Sequence, residues 1–391
     1  MVKRAIVAGI TSTGSKRPDA LFGEGYDGPP LRVARSAGAR VWDERGTEYL
    51  DLVMALGAVG LGYADPAVNR AVKEAVDRGA VGPLPPVEEA ALAAELGEVI
   101  PGLEEVRFLK TGAEAVAAAV RLARAHTTRD SVLGCGYHGW LDWCSSGAGI
   151  PAASAALYGE IRFNDVEQCT ALIRAAGDRL ACVVVEPVVD GAPSVEWLRA
   201  LRAETLRSGA LLIFDEIKTA FRVGMGGAAA RWGGEPDLVV LGKAMANGFP
   251  LAAVGGSAAV MRGVRDTWIS STLATEFVSL AAARATIRVA RERDLPAALE
   301  RSGARLLRGL ERLAAGFPSL TVGARGIPQM CYLQWANEEI SGRVASECAG
   351  KGLLFKRNAY NFVSLAHTDT DIDRALGILE DVLTDLSRLS R

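Results

Sequence analysis

The chain has little of what usually signals metal chemistry or an extracellular life. It holds three histidines in 391 residues, His126, His138 and His367, and their separations do not match metal-ligand spacing, so no metal site is expected. Its six cysteines, Cys135, Cys144, Cys169, Cys182, Cys331 and Cys348, are scattered, with no CxxC pair and no dense framework. That pattern reads as reduced, mostly buried thiols in a cytoplasmic protein. The apolar runs are too short to span a bilayer, and Met1-Val-Lys-Arg-Ala-Ile-Val7 is too short for a secretory signal. The net charge of −2 leaves no basic footprint for nucleic acid or an anionic membrane. What remains is 49% hydrophobic and 23% charged, enough to bury a substantial core over two to three domains.

Residues 1–30 are rich in Gly, Ser, Thr and Pro and read as an irregular arm without helix. Asp43 to Gly46 reads as a hairpin turn, with Glu48 to Leu52 as the return strand. From about residue 65 helix and strand alternate. Helical periodicity covers Pro66 to Asp77, Pro86 to Ile100 and the Ala-rich Ala113 to His126. Short apolar runs lie at Val106–Leu109, Ser131–Leu133, Ala181–Val185, Ala210–Phe214 and Leu238–Leu241. Such runs between helices indicate an α/β fold with a largely parallel sheet buried on both faces. Glu276 to Arg293 begins a long helix leading out of this domain, and the chain closes on an amphipathic helix, Asp371 to Leu389. The expected division is an amino-terminal arm with part of a small domain (1–60), a large domain (61–290) and a carboxy-terminal small α+β domain (291–391).

Two of the strand-like runs end on chemistry. Phe214-Asp-Glu-Ile217 closes one and Leu241-Gly-Lys243 closes the next, so an acid and a lysine reach the same sheet edge. An Asp that can hold a pyridinium proton beside a Lys that can form a Schiff base is the core of pyridoxal phosphate chemistry. Lys110-Thr-Gly-Ala-Glu-Ala115 lies between a strand and a helix, where free backbone N–H groups can cradle a phosphate. Taken singly, each feature has a plainer explanation: a helix cap at Thr111, a strand-end cap at Asp215, a solvated lysine at 243, an ordinary aromatic at Tyr137.

As an ordered set the motifs carry more. Thr111-Gly-Ala-Glu-Ala115, Tyr137-His-Gly139, Glu186-Pro187, Phe214-Asp-Glu-Ile217, Phe221-Arg222 and Gly242-Lys243 occur in the order and approximate spacing of the class III, fold type I pyridoxal phosphate aminotransferases. Thr219 to Gly227 and Ser271-Thr-Leu-Ala-Thr-Glu276 resemble the glutamate-1-semialdehyde 2,1-aminomutase branch, and the likeness runs from Trp42-Asp43 to Ser364–Thr368. The resemblance implies a seven-stranded, mostly parallel sheet sandwiched by helices, with a smaller α+β domain from both termini. It implies that Lys243 forms the internal aldimine and shuttles protons, and that Asp215 holds the pyridine nitrogen protonated. Tyr137 would stack on the ring, with Ile217 on its opposite face. Thr111, Gly112 and Ala113 would bind the phosphate, and Glu186 would lie near the ring. Thr272 would reach the phosphate of a neighbouring subunit, which makes the active unit a homodimer.

Three departures matter. Position 218 is Lys where many members carry Gln, and its side chain either changes the charge near the ring or points away. The phosphate loop has Thr111 and Ala113, which costs a hydroxyl contact. Ser145 to Ala156 is short and Ala/Gly-rich where the aminomutases carry a longer mobile lid. The short lid favours two-substrate transamination of an amino acid donor and a carbonyl acceptor over an intramolecular aminomutase or other isomerase, such as a racemase. A non-catalytic relative is a third reading, opposed by intact Lys243, Asp215 and Tyr137. For substrate, Arg17 (or Lys16) and Trp140 are candidates, with solvent exposure and core packing as their alternatives. Arg222 and Glu114 read as structural ion pairs, and His138 stays open between packing and catalysis.

Overall fold

A computed structural model describes residues 7–389; Met1 to Ile6 of the amino-terminal run lie outside the described residues. The chain forms two compact units. One is built from the amino-terminal residues up to Gly57, Leu61–Asp65 and the carboxy-terminal residues from Ala298; the other from Ala58–Gly60 and Pro66–Ala297.

The arm of the first unit is more ordered than its composition predicts. A 3-10 turn, Gly14–Lys16, precedes the short α-helix Pro18–Phe22. Pro18 sits at its first turn, where a missing N–H costs nothing, and the Asp19 carboxylate accepts the Ala20 N–H at 3.0 Å. Phe22 is then buried, 4.5 Å centroid to centroid from Tyr26 and among Val41, Tyr49 and Leu354. Next come strands β1 (Val33–Ala37), β2 (Arg40–Asp43) and β3 (Glu48–Asp51). The expected hairpin is present: Asp43 Oδ1 accepts the N–H groups of Arg45 and Thr47, each at 2.9 Å.

The second unit carries a seven-stranded sheet made of β4 (Glu105–Leu109), β5 (Ser131–Cys135), β6 (Tyr158–Glu160), β7 (Leu180–Val185), β8 (Leu211–Asp215), β9 (Leu238–Leu241) and β10 (Ala252–Gly256). The order is β4-β10-β9-β8-β7-β5-β6, parallel except at β10, which runs antiparallel to both neighbours. Alternate side chains separate into two apolar layers. Val183, Val185, Leu212, Phe214, Val239 and Leu241 join one; Cys182, Val184, Leu211, Ile213, Leu238 and Val240 join the other. Burial on both faces is why these strands read as continuous apolar runs. The second layer is closed by the Gly112–Thr127 helix, whose Ala115, Ala118, Ala119 and Ala123 permit close approach to the sheet. The first is closed by residues of helices Val87–Gly97, Val166–Ala176, Val195–Ser208 and Phe277–Glu292.

Two strands, β6 and β10, carry no sequence signal. β6 is a three-residue edge. β10 is Ala-Ala-Val-Gly-Gly, a poor strand former by composition. Its glycines are required by space: a Cβ on Gly255 would meet Leu103, and one on Gly256 would collide with the Asp237 carbonyl. The helix expected to lead out of this unit stops at Glu292. Asp294 turns the chain with φ 43°, and a separate helix, Leu295–Gly316, carries it onward.

In the first unit β11 (Thr321–Ile327), β12 (Met330–Trp335) and β14 (Asn361–Phe362) form an antiparallel sheet, and β13 (Leu353–Leu354) pairs parallel with β3. The terminal helix spans Asp369–Leu389. All six cysteines are free, five of them buried and Cys144 half-buried. Among the described residues no helix is long and apolar enough to cross a membrane.

Two helical glycines make opposite demands. A Cβ on Gly303 would collide with the Pro328 carbonyl, whereas Gly377 has open space around it. Gly303→Ala should lower stability by about 1–3 kcal/mol, and Gly377→Ala should raise it by up to about 1 kcal/mol. Urea unfolding of both variants checks the pair; equal midpoints would contradict the packing described.

Candidate active site

The carboxyl ends of the parallel strands surround a cavity of about 390 Å³ in the second unit. Opposed loops leave such a crevice at the ends of parallel strands, outside the packed layers. Thr111, Gly112, Ala113, Tyr137, Trp140, Glu186, Asp215, Ile217 and Lys243 all line it. So do residues with no role in the sequence reading, among them Ala58, Lys110, Phe249 and Pro250. Thr272 does not line it and lies exposed in a turn. Arg17 belongs to the first unit, where its guanidinium pairs with Asp19.

Strand register explains the acid pair. Val185 of β7 lies beside Phe214 of β8, so the next residues, Glu186 and Asp215, are neighbours at the sheet edge. Asp215 is 2% exposed. Its Oδ2 is 2.9 Å from His138 Nδ1, and its Oδ1 accepts the Ile217 N–H at 3.3 Å. A buried carboxylate without such partners would cost several kcal/mol. His138 is itself buried, and its Nε2 has no hydrogen-bond partner among the described residues. Of the two readings left open for His138, the geometry shows a ring packed against the acid and hydrogen-bonded to it. The sequence offers no signal for this contact beyond a His one place after Tyr137.

Glu186 Oε2 accepts two donors, the Tyr137 N–H at 3.2 Å and Lys218 Nζ at 2.9 Å. Lys218 therefore points toward the acids, which resolves the two options left by the sequence. Burial pushes the Glu186 carboxyl above its usual range, against the pull of Lys218. Glu216, the following acid, faces elsewhere: it accepts the Ala228 and Ala229 N–H groups, each at 2.8 Å, and burial raises it to about 7.

Lys243 comes after β9 in a 3-10 turn with φ 47°, a left-handed conformation that is uncommon for a residue with a side chain. The residue is half-buried. Lost hydration, and secondarily the Lys218 charge, lower its amine to about 8.

The other end of the cavity is built by the start of the Gly112–Thr127 helix. Thr111 caps it in a reciprocal box with Glu114: the Thr111 hydroxyl accepts the Glu114 N–H at 3.3 Å, and the Glu114 carboxylate accepts the Thr111 N–H at 2.9 Å. Glu114, expected in an ion pair, is thus a capping residue. The Gly112 and Ala113 N–H groups have no acceptor among the described residues, and both residues line the cavity. Two unclaimed donors at the positive end of a 16-residue helix suit a phosphate. Close approach there needs Gly112, where a Cβ would sit 2.6 Å from Ile217 Cδ1. Lys110 Nζ lies 2.7 Å from Glu276 Oε1, and the same carboxylate caps the Phe277–Glu292 helix through Val278 and Ser279. Among the described residues no His, Cys, Asp or Glu cluster is arranged to hold a metal.

Residues 22–383 match the family described as Aminotransferase class-III, and the chain belongs to it. Its cofactor is accordingly pyridoxal phosphate, and the cavity's free amides, acids and lysine fit that group. The glutamate-1-semialdehyde 2,1-aminomutase of Pyrobaculum calidifontis is 33% identical, with 95% of each chain covered. That of Desulfitobacterium hafniense is 34% identical, with 91% of each covered. Among solved structures, the FumI protein of Sphingopyxis sp. MTA144, in its PLP internal aldimine form, superposes with a TM-score of 0.91 at 28% identity, covering 98% of this chain and 94% of its own. A beta-phenylalanine aminotransferase from Variovorax paradoxus gives 0.84 at 26% identity, covering 94% and 90%. The expected fold type is borne out by these superpositions.

Labelling, pH dependence and one substitution check the site. Borohydride reduction of the loaded protein should fix the cofactor on the Lys243 peptide, and recovery on Lys218 would overturn that placement. Attachment to cofactor-stripped protein should quicken with rising pH and level off above about 8, because only the neutral amine attacks an aldehyde. Asp215→Asn should cut turnover by about 10–100-fold, the rate equivalent of about 1.5–3 kcal/mol for a lost charge-assisted hydrogen bond, while its melting temperature changes little.

Proposed function

We propose that this chain is an aminotransferase moving an amino group from an amino acid donor to an aldehyde or ketone acceptor in a ping-pong cycle. We further propose that it acts as a cytoplasmic homodimer. Bound pyridoxal phosphate supplies the aldehyde that takes up the amino group and the ring that draws electrons from the carbon losing its proton. The chain's own residues divide the remaining work. Lys243 Nζ would hold the cofactor covalently between turnovers and carry the proton within the substrate. Asp215, fixed by His138, would meet the ring nitrogen and favour its protonated form. Tyr137 and Ile217 would bracket the ring, and Gly112 and Ala113 would donate to the phosphate beside Thr111. Glu186, next to Asp215, would be a further cofactor contact. Thr272, exposed outside the cavity, would reach the phosphate in the site of a second copy.

Trp140 lines the cavity while 73% exposed, which suits a substrate contact. Arg17 is the candidate for a substrate carboxylate. Free thiols throughout the chain agree with a reducing compartment.

The observation that carries transfer over rearrangement is the brevity of Ser145–Ala156. That stretch holds bends and a single helical turn, Ala152–Ala155. A lid too short to retain an intermediate lets the first product leave before the second substrate enters. The alternative, an intramolecular 2,1-aminomutase or another isomerase of the same cofactor, is favoured by the names of the aminomutase relatives.

With an amino donor alone, the visible absorbance of the loaded protein should bleach with release of one equivalent of keto acid, and an acceptor should restore it. Two-substrate kinetics should give parallel lines. Rapid conversion of glutamate-1-semialdehyde to 5-aminolevulinate without an external donor would reverse the choice.

A further inference from the structure

The pocket's acids are compensated unequally. Asp215 has His138 and a backbone N–H, whereas Glu186 has a full cation, Lys218, at 2.9 Å. The pair is well buried, with 13% and 7% of the two side chains exposed. Glu186 is also fixed in place from the β5 end by the Tyr137 N–H. The chain passes close there because position 136 is glycine: φ is +105°, and a Cβ would lie 2.6 Å from Glu186 Oε2. Glu186 lines the same cavity as Lys243. Four charged groups act on the Lys243 amine: Lys218 and Arg222 oppose its proton, while Glu186 and Asp215 favour it. Glu186 in turn feels Lys218, Asp215 and His138, and the buried Cys135 thiol beside it is pushed up to about 12 by burial and then by the Glu186 charge.

We propose that Lys218 and Glu186 act as one charge-balanced pair whose opposed members set how readily the cofactor lysine, Lys243, holds its proton. Lys218 is then a positioning residue with no covalent role. The inference rests on Lys243 being the cofactor lysine. An unpaired Lys218 ammonium would disfavour a proton on the Lys243 nitrogen, and an unpaired Glu186 carboxylate would favour one. Paired, they cancel in large part and leave burial to decide, which keeps the nitrogen able both to take and to give a proton near neutrality.

The test uses the full-length, cofactor-loaded protein. The readout is the midpoint of the pH titration between the two visible absorbance bands of the lysine-bound cofactor, with competitive acetylation of Lys243 in the stripped chain as a second measurement. Lys218→Met should raise the midpoint and Glu186→Gln should lower it, each by about one pH unit or more. The double variant should return to within about half a unit of the parent. A purely structural role would lower melting temperatures without moving the two midpoints in opposite directions. Either single variant titrating like the parent, or both moving the same way, would overturn the proposal. Borohydride labelling keeps the layers apart. A label on Lys243 with unmoved midpoints sinks the pair alone, and no label on Lys243 in the parent sinks the cofactor assignment and the pair with it.

Discussion

Burying a carboxylate is expensive, and the site is organised around doing it twice in adjacent positions. Asp215 and Glu186 stand directly at the ends of β8 and β7, which are apolar on both faces, so the strand ends are the first places where charge can be accommodated. Partners come from the loop after β5. In the strand order that loop lies beside β7, with β8 one strand beyond. Its consecutive residues meet consecutive acids: the Tyr137 N–H reaches Glu186, and the His138 ring passes on to Asp215. One short segment thereby stabilises both charges and carries the ring that faces the cavity. This coupling makes His138 a residue whose loss would release Asp215 and let the loop drift as well.

The opposite end of the cavity uses backbone where the acid end uses side chains. Thr111 and Glu114 satisfy each other across the first turn of the Gly112–Thr127 helix, which leaves the Gly112 and Ala113 N–H groups unclaimed. An anion there is met by fixed dipoles that need no reorganisation. Lys110, which lines the cavity beside Thr111, is already committed to Glu276 at 2.7 Å. That end of the cavity is therefore shaped by helix geometry more than by net positive charge, in keeping with a chain whose overall charge is −2.

Much of this is legible in the sequence because the large sheet's strands obey one rule. Val-Val-Val and Leu-Leu-Ile-Phe runs announce two-sided burial, and the residues that follow each run must sit at the sheet edge, so the pattern brings Asp215 and Lys243 to the same edge. The features that stay hidden depend on neighbours distant in sequence. β10 reads as a loop because its glycines answer to Leu103 and Asp237. The Pro18–Phe22 helix escapes a reading by propensity because its stability comes more from Phe22 packing against Tyr49 and Leu354. Glu114 reads as an ion-pair residue because a charge pattern does not reveal that its carboxylate folds back onto its own helix start. The role of His138 depends on β5 and β8 being separated by a single strand, a fact of topology that no local pattern carries.

The backbone at Lys243 completes the physical logic. Gly242 is extended and Lys243 then turns left-handed, which costs a residue with a Cβ roughly 1–2 kcal/mol. A lysine continuing along β9 would alternate into one of the apolar layers, where an ammonium is costly and a carbonyl compound has no access. The turn takes the side chain out of that alternation and gives it to the cavity, beside the two acids. Burial first, and then the charges at 218, 186 and 215, act on that one nitrogen. They lower its amine to about 8, close enough to neutrality for a group there both to take and to give a proton.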